Sequence, residues 1–420
     1  MIQAPLGFED HLPDRLPVWR RIEDAARRIS ETYGYREMRT PLMESTELFV
    51  RSVGEVTDIV EKEMFTFDKG DKDSLTLRPE LTAPFVRACV EHSLFKKKPF
   101  QKLFYVGANF RKERPQKGRL RQFHQFGVEA LGASDALLDA ETVLLALAFF
   151  EAVGVPGVRT RVNTIGCPTC RPAFRDALKA HLEPKLARFC ENCRRRFDRN
   201  VFRVLDCKVE GCVALSSDAP RVQAHLCDGC RAHDEGFIGA LRRAGVAFEQ
   251  DPRLVRGFDY YTRTVYEFRA PGLGAQDAIG GGGRYDNLIA EMGGDPAGAV
   301  GFAVGLERVV IALEAAGKAP EEEWFPTRVY VTHIGPETRD AAFDIVRTLR
   351  TAGISADMDF EGRSLKAQMR NANRVKAPRV VILGPDEMAK GEVKVRDMAK
   401  SAEESVAVKD LAARLARAEE

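Results

Sequence analysis

One stretch limits the possible folds more than any other: KLFYVGANFRKERPQKGRLRQFHQFGVEAL, residues 102–131. An apolar strand enters, a polar loop follows and a second strand leaves. Strands so near each other in sequence, joined by a basic loop, suggest an antiparallel sheet. The loop is also heavily charged. Arg111, Lys112, Arg114, Lys117, Arg119 and Arg121 crowd between the strands, and Glu113 alone opposes them. Such a tip repels itself unless an anion sits there, and guanidinium forks bind phosphate oxygens in pairs. A solvated loop with an arginine and lysine excess would carry the same charge.

Other elements gather around this hairpin. Apolar residues at helical spacing predict a helix over Leu16 to Tyr33, ending near Gly34. Further helices are expected over Leu81 to His92 and Leu137 to Ala152, and strands over Ser74 to Leu77 and Val158 to Val162. At 420 residues the chain exceeds one compact core, and it falls into four regions of different character. Residues 1–165 read as the first part of an antiparallel-sheet domain flanked by helices. Residues 166–250 hold eight of the nine cysteines and read as a mainly helical insertion. Residues 251–318 return to strands and glycines. After the acidic, proline-bounded APEEEWFP, strands and helices alternate over 327–420, which predicts a small α/β domain.

The N-terminus lacks the apolar core of a signal peptide, and the greasiest run, near Val143 to Val155, is bounded by acidic residues. A cytoplasmic protein with no membrane span is expected. The net charge of +2 leaves nucleic acid open as a partner, because binding needs only a local basic face.

Three glycine-rich or arginine-bearing segments invite a ligand. In LVRGFDYYTRTVYEF, strand alternation places Val255, Gly257, Asp259 and Tyr261 on one side and Arg256, Phe258 and Tyr260 on the other. An arginine inside an apolar strand needs either a carboxylate or a ligand. The run Gly280 to Gly283 before Arg284 implies close packing or a bound group. In GFAVGLERVVIAL, Arg308 falls near a helix start, where the helix dipole offers a cation nothing. It could serve an external anion, an aromatic face or only the surface. Neither a Walker A sequence nor a GxGxxG turn is present.

The cysteines come as four chelating pairs: Cys167 and Cys170, Cys190 and Cys193, Cys207 and Cys212, Cys227 and Cys230. That spacing suits two structural four-thiolate Zn²⁺ sites. Thiols packed as small hydrophobes, or disulfides, remain alternatives, and the sequence does not say which pair joins which.

Taken in order, RPELTAPFVRA, FRKERPQKGRLRQFHQFGVE, LVRGFDYYTRTVYEF, GGGRYDNL and GFAVGLERV resemble the histidyl-tRNA synthetases, a class II aminoacyl-tRNA synthetase family, over essentially the whole chain. Leu81 and Phe258 stand where many relatives have glycine and leucine. The resemblance implies an α+β catalytic domain built on a six- or seven-stranded antiparallel sheet, and a C-terminal α/β anticodon-binding domain. It implies ligation of L-histidine to tRNA(His) through a histidyl-adenylate, with ATP and Mg²⁺, by a homodimer whose dimer-forming segment lies around Arg36 to Phe49.

It also implies roles for particular residues. Glu80 and Thr82 would hold the α-amino group. Gln125, Glu129, Tyr261 and Tyr285 would line the histidine pocket, with Glu129 and Tyr261 reading the imidazole. Arg111 would grip the ATP α-phosphate, Arg256 would sit at the histidine carboxylate and α-phosphate, Arg119 would make a second phosphate contact, and Arg308 would pack on the adenine and meet the γ-phosphate. Two rivals remain at this stage. A synthetase-like regulatory subunit would lack the C-terminal domain and usually the arginines, both of which this chain has. A zinc-dependent nucleic-acid module would leave the RGFDYY segment and the glycine run without purpose.

Overall fold

The computed structural model describes residues 1–54, 57, 59–68, 74–274, 277–319 and 327–416. The acidic stretch ending at Pro326 lies, apart from Ala319, outside these residues. The chain divides into two compact units, Met1–Pro320 and Glu321–Glu420.

In the first unit the charged hairpin forms as its sequence suggests. Gln101–Phe110 pairs antiparallel with Gln122–Leu131 along the full length of both strands. The strand Ala299–Gly305 adds beside Gln122–Leu131, followed by Ala278–Arg284, Thr262–Arg269 and Arg159–Thr164, all antiparallel. A short parallel strand closes each edge, Arg36–Glu37 on one side and Phe248–Gln250 on the other. The sheet therefore has eight strands, six antiparallel strands framed by two parallel ones. A separate three-stranded sheet joins Met43–Ser45, Ser74–Leu77 and Phe65–Asp68. Only Ser74–Leu77 was legible in advance, because the other two strands are short and carry no clear alternation.

Two long helices pack against the large sheet. Leu16–Thr32 starts with Pro17 in its first turn and buries Val18, Trp19, Ile22, Ala25 and Ala26, a stripe at 3.6-residue spacing. Ala136–Val153 is apolar on most sides and buried between other elements; the Asp135 carboxylate caps it by accepting from Leu137 N–H at 2.9 Å. Their buried side chains join those of the sheet in one core that includes Phe126, Phe149, Phe268 and Phe302.

Residues 166–250 do not separate from this unit. Most of the segment is short helices around a core of its own. Its last helix, Asp228–Arg243, instead contributes Phe237, Ile238 and Leu241 to the main core, and its last strand is the Phe248–Gln250 edge of the large sheet.

The second unit is a five-stranded sheet in the order Ala356–Met358, Val329–His333, Arg379–Leu383, Glu392–Asp397, Glu403–Ala407. The first three strands are parallel, with helices Arg339–Thr351 and Leu365–Arg374 as crossovers. The last two run antiparallel; helix Pro385–Lys390 still precedes Glu392–Asp397, so the alternation read from the sequence is interrupted only where that strand leads directly into Glu403–Ala407. Among the described residues no helix is long and apolar enough to cross a membrane.

Candidate active site

A cavity opens over the middle of the large sheet, and the charged hairpin forms part of its wall. Arg111, Arg119, Arg256, Arg308, Glu80, Thr82, Gln125, Tyr261 and Tyr285 all line it. Glu129 is buried just behind them. Thr82 Oγ1 donates to Glu129 Oε1 at 2.7 Å, and the Tyr285 hydroxyl donates to Oε2. Apart from the cysteines, which gather elsewhere, the site residues suggested by the sequence line this cavity or lie directly behind it.

The two ends of the cavity differ in charge. At the acidic end, burial pushes the Glu129 carboxyl up to about 8, against the opposing effect of the Tyr285 and Thr82 hydrogen bonds. Glu80 is buried too. Its carboxylate accepts from Thr82 N–H at 2.7 Å and Ala83 N–H at 2.9 Å, which caps the Thr82–Glu91 helix. Burial raises its pKa, and those two backbone donors together with Arg111 counteract the rise. Gln125 accepts from Asn109 Nδ2 at 2.6 Å.

The other end is cationic. Arg111 Nε donates to Pro79 O at 2.9 Å, and its guanidinium lies 5.1 Å from the Phe123 ring centre and 5.9 Å from that of Phe258. Arg119 pairs with Glu113 at 3.2 Å. Arg308 donates to Gly118 O at 3.1 Å and Ala278 O at 2.5 Å. Burial lowers its pKa, and repulsion from Arg119 adds to that. Two guanidinium groups that repel across a cleft are a place where an anion gains from both.

Arg256 answers the question its segment posed in both ways. It meets a carboxylate, Glu267, at 3.3 Å, and it also lines the cavity; its Nε is buried with no hydrogen-bond partner among the described residues. The strand expected to carry it is absent. The regular strand starts only at Thr262, and 254–261 is a loop. The alternation therefore fails, and Tyr260 and Tyr261, neighbours in sequence, both line the cavity. The glycine run has a packing cause. A Cβ on Gly281 would stand 2.6 Å from Arg256 Nη1, and one on Gly301 would stand 2.2 Å from Glu129 Oε2. Both strands carry glycine where a pocket side chain lies flat across the sheet.

The histidyl-tRNA synthetase family matches residues 7–309, and the anticodon-binding domain family matches 328–418. The chain belongs to the histidyl-tRNA synthetase family. It is 50% identical over 407 residues to the histidine–tRNA ligase of Moorella thermoacetica, covering 97% of this chain and 96% of that one. It is 46% identical to the histidine–tRNA ligase of Desulfatibacillum aliphaticivorans, covering 99% of both chains. The crystal structure of the apo histidyl-tRNA synthetase of S. aureus superposes with a TM-score of 0.83 at 32% identity, covering 99% of this chain and 100% of that one.

Beyond the residues expected in this synthetase, the site holds others that the sequence gave little reason to select. Tyr105 and Tyr260 line the cavity from the hairpin and the loop; tyrosines in apolar strands read as ordinary core. Arg284 closes the glycine run and is fully buried. It forms an ion pair with Asp139 and donates to Ala133 O at 3.0 Å and Asp135 O at 3.1 Å. Asp139 also pairs with His233 at 2.7 Å. This buried charge cluster ties a pocket strand to two helices. No spacing rule could have linked residues so far apart in sequence.

Proposed function

We propose that this synthetase joins L-histidine to tRNA(His) in protein synthesis, activating the amino acid with ATP in the cavity over the large sheet. The observation that carries this reading is that Arg111 and Arg256 line one cavity, with Glu129 buried behind Thr82 and Tyr285. The histidine carboxylate is ionised at neutral pH and needs no base to act as nucleophile. It attacks the α-phosphorus of ATP in line, and diphosphate leaves. Charge builds on the α-phosphoryl oxygens while two anions approach each other. Arg111 and Arg256 offset both effects, and Arg119 and Arg308 hold the remaining phosphates and the adenine. The terminal adenosine hydroxyl of tRNA then attacks the activated carbonyl, releasing AMP.

Selectivity comes from the acidic end. Glu129 accepts an imidazole N–H, with Tyr261, Tyr285 and Gln125 around it, while Glu80 and Thr82 take the α-ammonium group. An apolar amino acid would leave these buried polar groups unpaired. Glu113 and Glu307 on the cavity wall are already paired with Arg119 and His124, which suits Mg²⁺ carried mainly by the phosphates of ATP. Mg²⁺ would add positive charge along the polyphosphate.

The C-terminal unit reads the anticodon. The chain acts as a homodimer in the cytoplasm, and the Arg36 to Phe49 region supports the dimer contact: Leu42 and Met43 are exposed there beside the Arg36–Glu37 edge strand. The catalytic parts span 1–165 and 251–318. ATP–diphosphate exchange measured with each of the twenty amino acids tests the whole reading. Exchange with histidine alone is expected, and equal exchange with another amino acid would refute it.

A further inference from the structure

The cysteine pairs are the one strong motif that this activity leaves unused. Their thiols gather into two clusters of four, Cys167, Cys170, Cys227 and Cys230 in one and Cys190, Cys193, Cys207 and Cys212 in the other, with all sulfurs of a cluster within 4.8 Å of one another. The pairing is nested: first pair with last, second with third. Sulfur separations are 3.7 Å for Cys167–Cys170, 3.8 Å for Cys167–Cys227, 3.8 Å for Cys170–Cys230 and 3.9 Å for Cys190–Cys207. Four sulfurs about 2.3 Å from a central Zn²⁺ at tetrahedral corners lie about 3.8 Å apart. A disulfide would need about 2.05 Å and would join sulfurs in twos. Backbone N–H groups also turn toward sulfur, Cys167 N–H to Cys170 Sγ at 3.2 Å and Cys190 N–H to Cys212 Sγ at 3.3 Å, as they do around thiolates that bind metal.

We propose that each cluster holds one structural Zn²⁺, and that the two ions make this module a clamp on the loop that carries Arg256. The clamp half rests on the activity proposed above; the metal half stands without it. Four thiolates fill the tetrahedron and leave no position for water, so the ions are structural.

The loop of residues 254–261 depends on the module for its shape. Arg171, next to Cys170, donates from Nη2 to Tyr261 O at 2.5 Å. Just before Cys167, Ile165 and Gly166 exchange two backbone hydrogen bonds of 2.8 Å with Arg263. Arg263 has φ +53°, a conformation that a non-glycine residue keeps only when its surroundings impose it. Between the two cysteine pairs of the second cluster, Asn200 Nδ2 donates to Asp259 Oδ1 at 3.0 Å and Arg203 Nη1 to Gly257 O at 3.4 Å. Arg171 is the first residue of the helix that Cys170 precedes, and Asn200 and Arg203 belong to the stretch of short helices between Cys193 and Cys207.

Elemental analysis of the full chain, purified without chelator, should find about two zinc ions per chain. The double variant Cys190→Ser, Cys212→Ser should hold about one. Should that variant fail to fold, replacement of the native metal by Co²⁺ should give the absorption of tetrahedral thiolate-bound cobalt. Arg171→Ala should keep both zinc ions and raise the KM for histidine about tenfold with little change in the KM for ATP; Arg171→Lys should restore part of the loss. Zinc-free protein, or iron in its place, would overturn the metal sites. An unchanged histidine KM in Arg171→Ala, or in the chelator-stripped chain, would overturn the clamp. Absence of exchange with any amino acid would count against the proposed activity and leave the zinc count as its own result.

Discussion

The large sheet and the cysteine-rich module solve the same problem by different means. The sheet is stabilised by area. Six long antiparallel strands and two helices of 17 and 18 residues bury a continuous apolar core that contains no cysteine among its described residues. The module is built from helices as short as Phe202–Leu205 and Glu210–Leu215, pieces too short to persist alone. Cysteines make up five of the fifteen buried residues in its core. A region that buries too little apolar surface to hold itself together needs cross-links; the zinc ions proposed above would supply them in the module that hydrogen-bonds to the loop carrying Arg256.

Removing metal should therefore separate the two regions more sharply than any substitution. Hydrogen exchange after chelation is expected to show residues 167–227 losing protection while Gln101–Phe110 and Gln122–Leu131 keep theirs; simultaneous loss in both would mean that the module has no separate dependence on metal. Asp139→Ala should be the most damaging single change on the sheet side. It leaves Arg284 buried without its partner, and losing one member of a buried ion pair costs about 3–5 kcal/mol, readable by denaturant unfolding. Asp139 is also held below the usual carboxylate range. Burial opposes this, but His233 and Arg284 prevail, so its contribution is present above the unfolded pKa and fades as pH falls through the lower folded value. Arg256→Ala should do the opposite: lower exchange by about 10²–10³-fold with little change in unfolding midpoint. A large loss of stability would move Arg256 from chemistry to structure.

The smallest effect concerns pH. The Glu129 carboxyl is raised to about 8, while free imidazole titrates near 6.5. Between those values the free partners hold one proton, on Glu129, and the bound imidazolium–carboxylate pair holds one as well. Histidine KM should be lowest across that range and rise on both sides. Glu129→Gln should raise KM and erase the alkaline limb. A raised carboxyl also means that the folded chain holds a proton the unfolded chain lacks, so this group's stabilisation declines as pH climbs from about 4.5 through about 8. Glu129→Gln should flatten that part of the stability curve.

Local patterns made much of this legible. The strand expected over Ser74 to Leu77 has those bounds in the structure, and the helix expected over Leu16 to Tyr33 ends one residue earlier, at Thr32. Periodicity and capping decide such elements within a few residues of chain. The loop at 254–261 was misread because its residues alternate like a strand, while its hydrogen bonds go to a module far off in sequence. The nested cysteine pairing and the Arg284–Asp139–His233 cluster were hidden for the same reason. Spacing tells which residues can chelate or pair, and only the folded path tells with whom.

The Asp228–Arg243 helix carries Cys230 at one end and Phe237, Ile238 and Leu241 at the other. The insertion is consequently no removable cassette. A deletion cut at its sequence borders would excavate the enzyme's interior, and a graft onto another synthetase would have to bring along a matching socket for those three side chains.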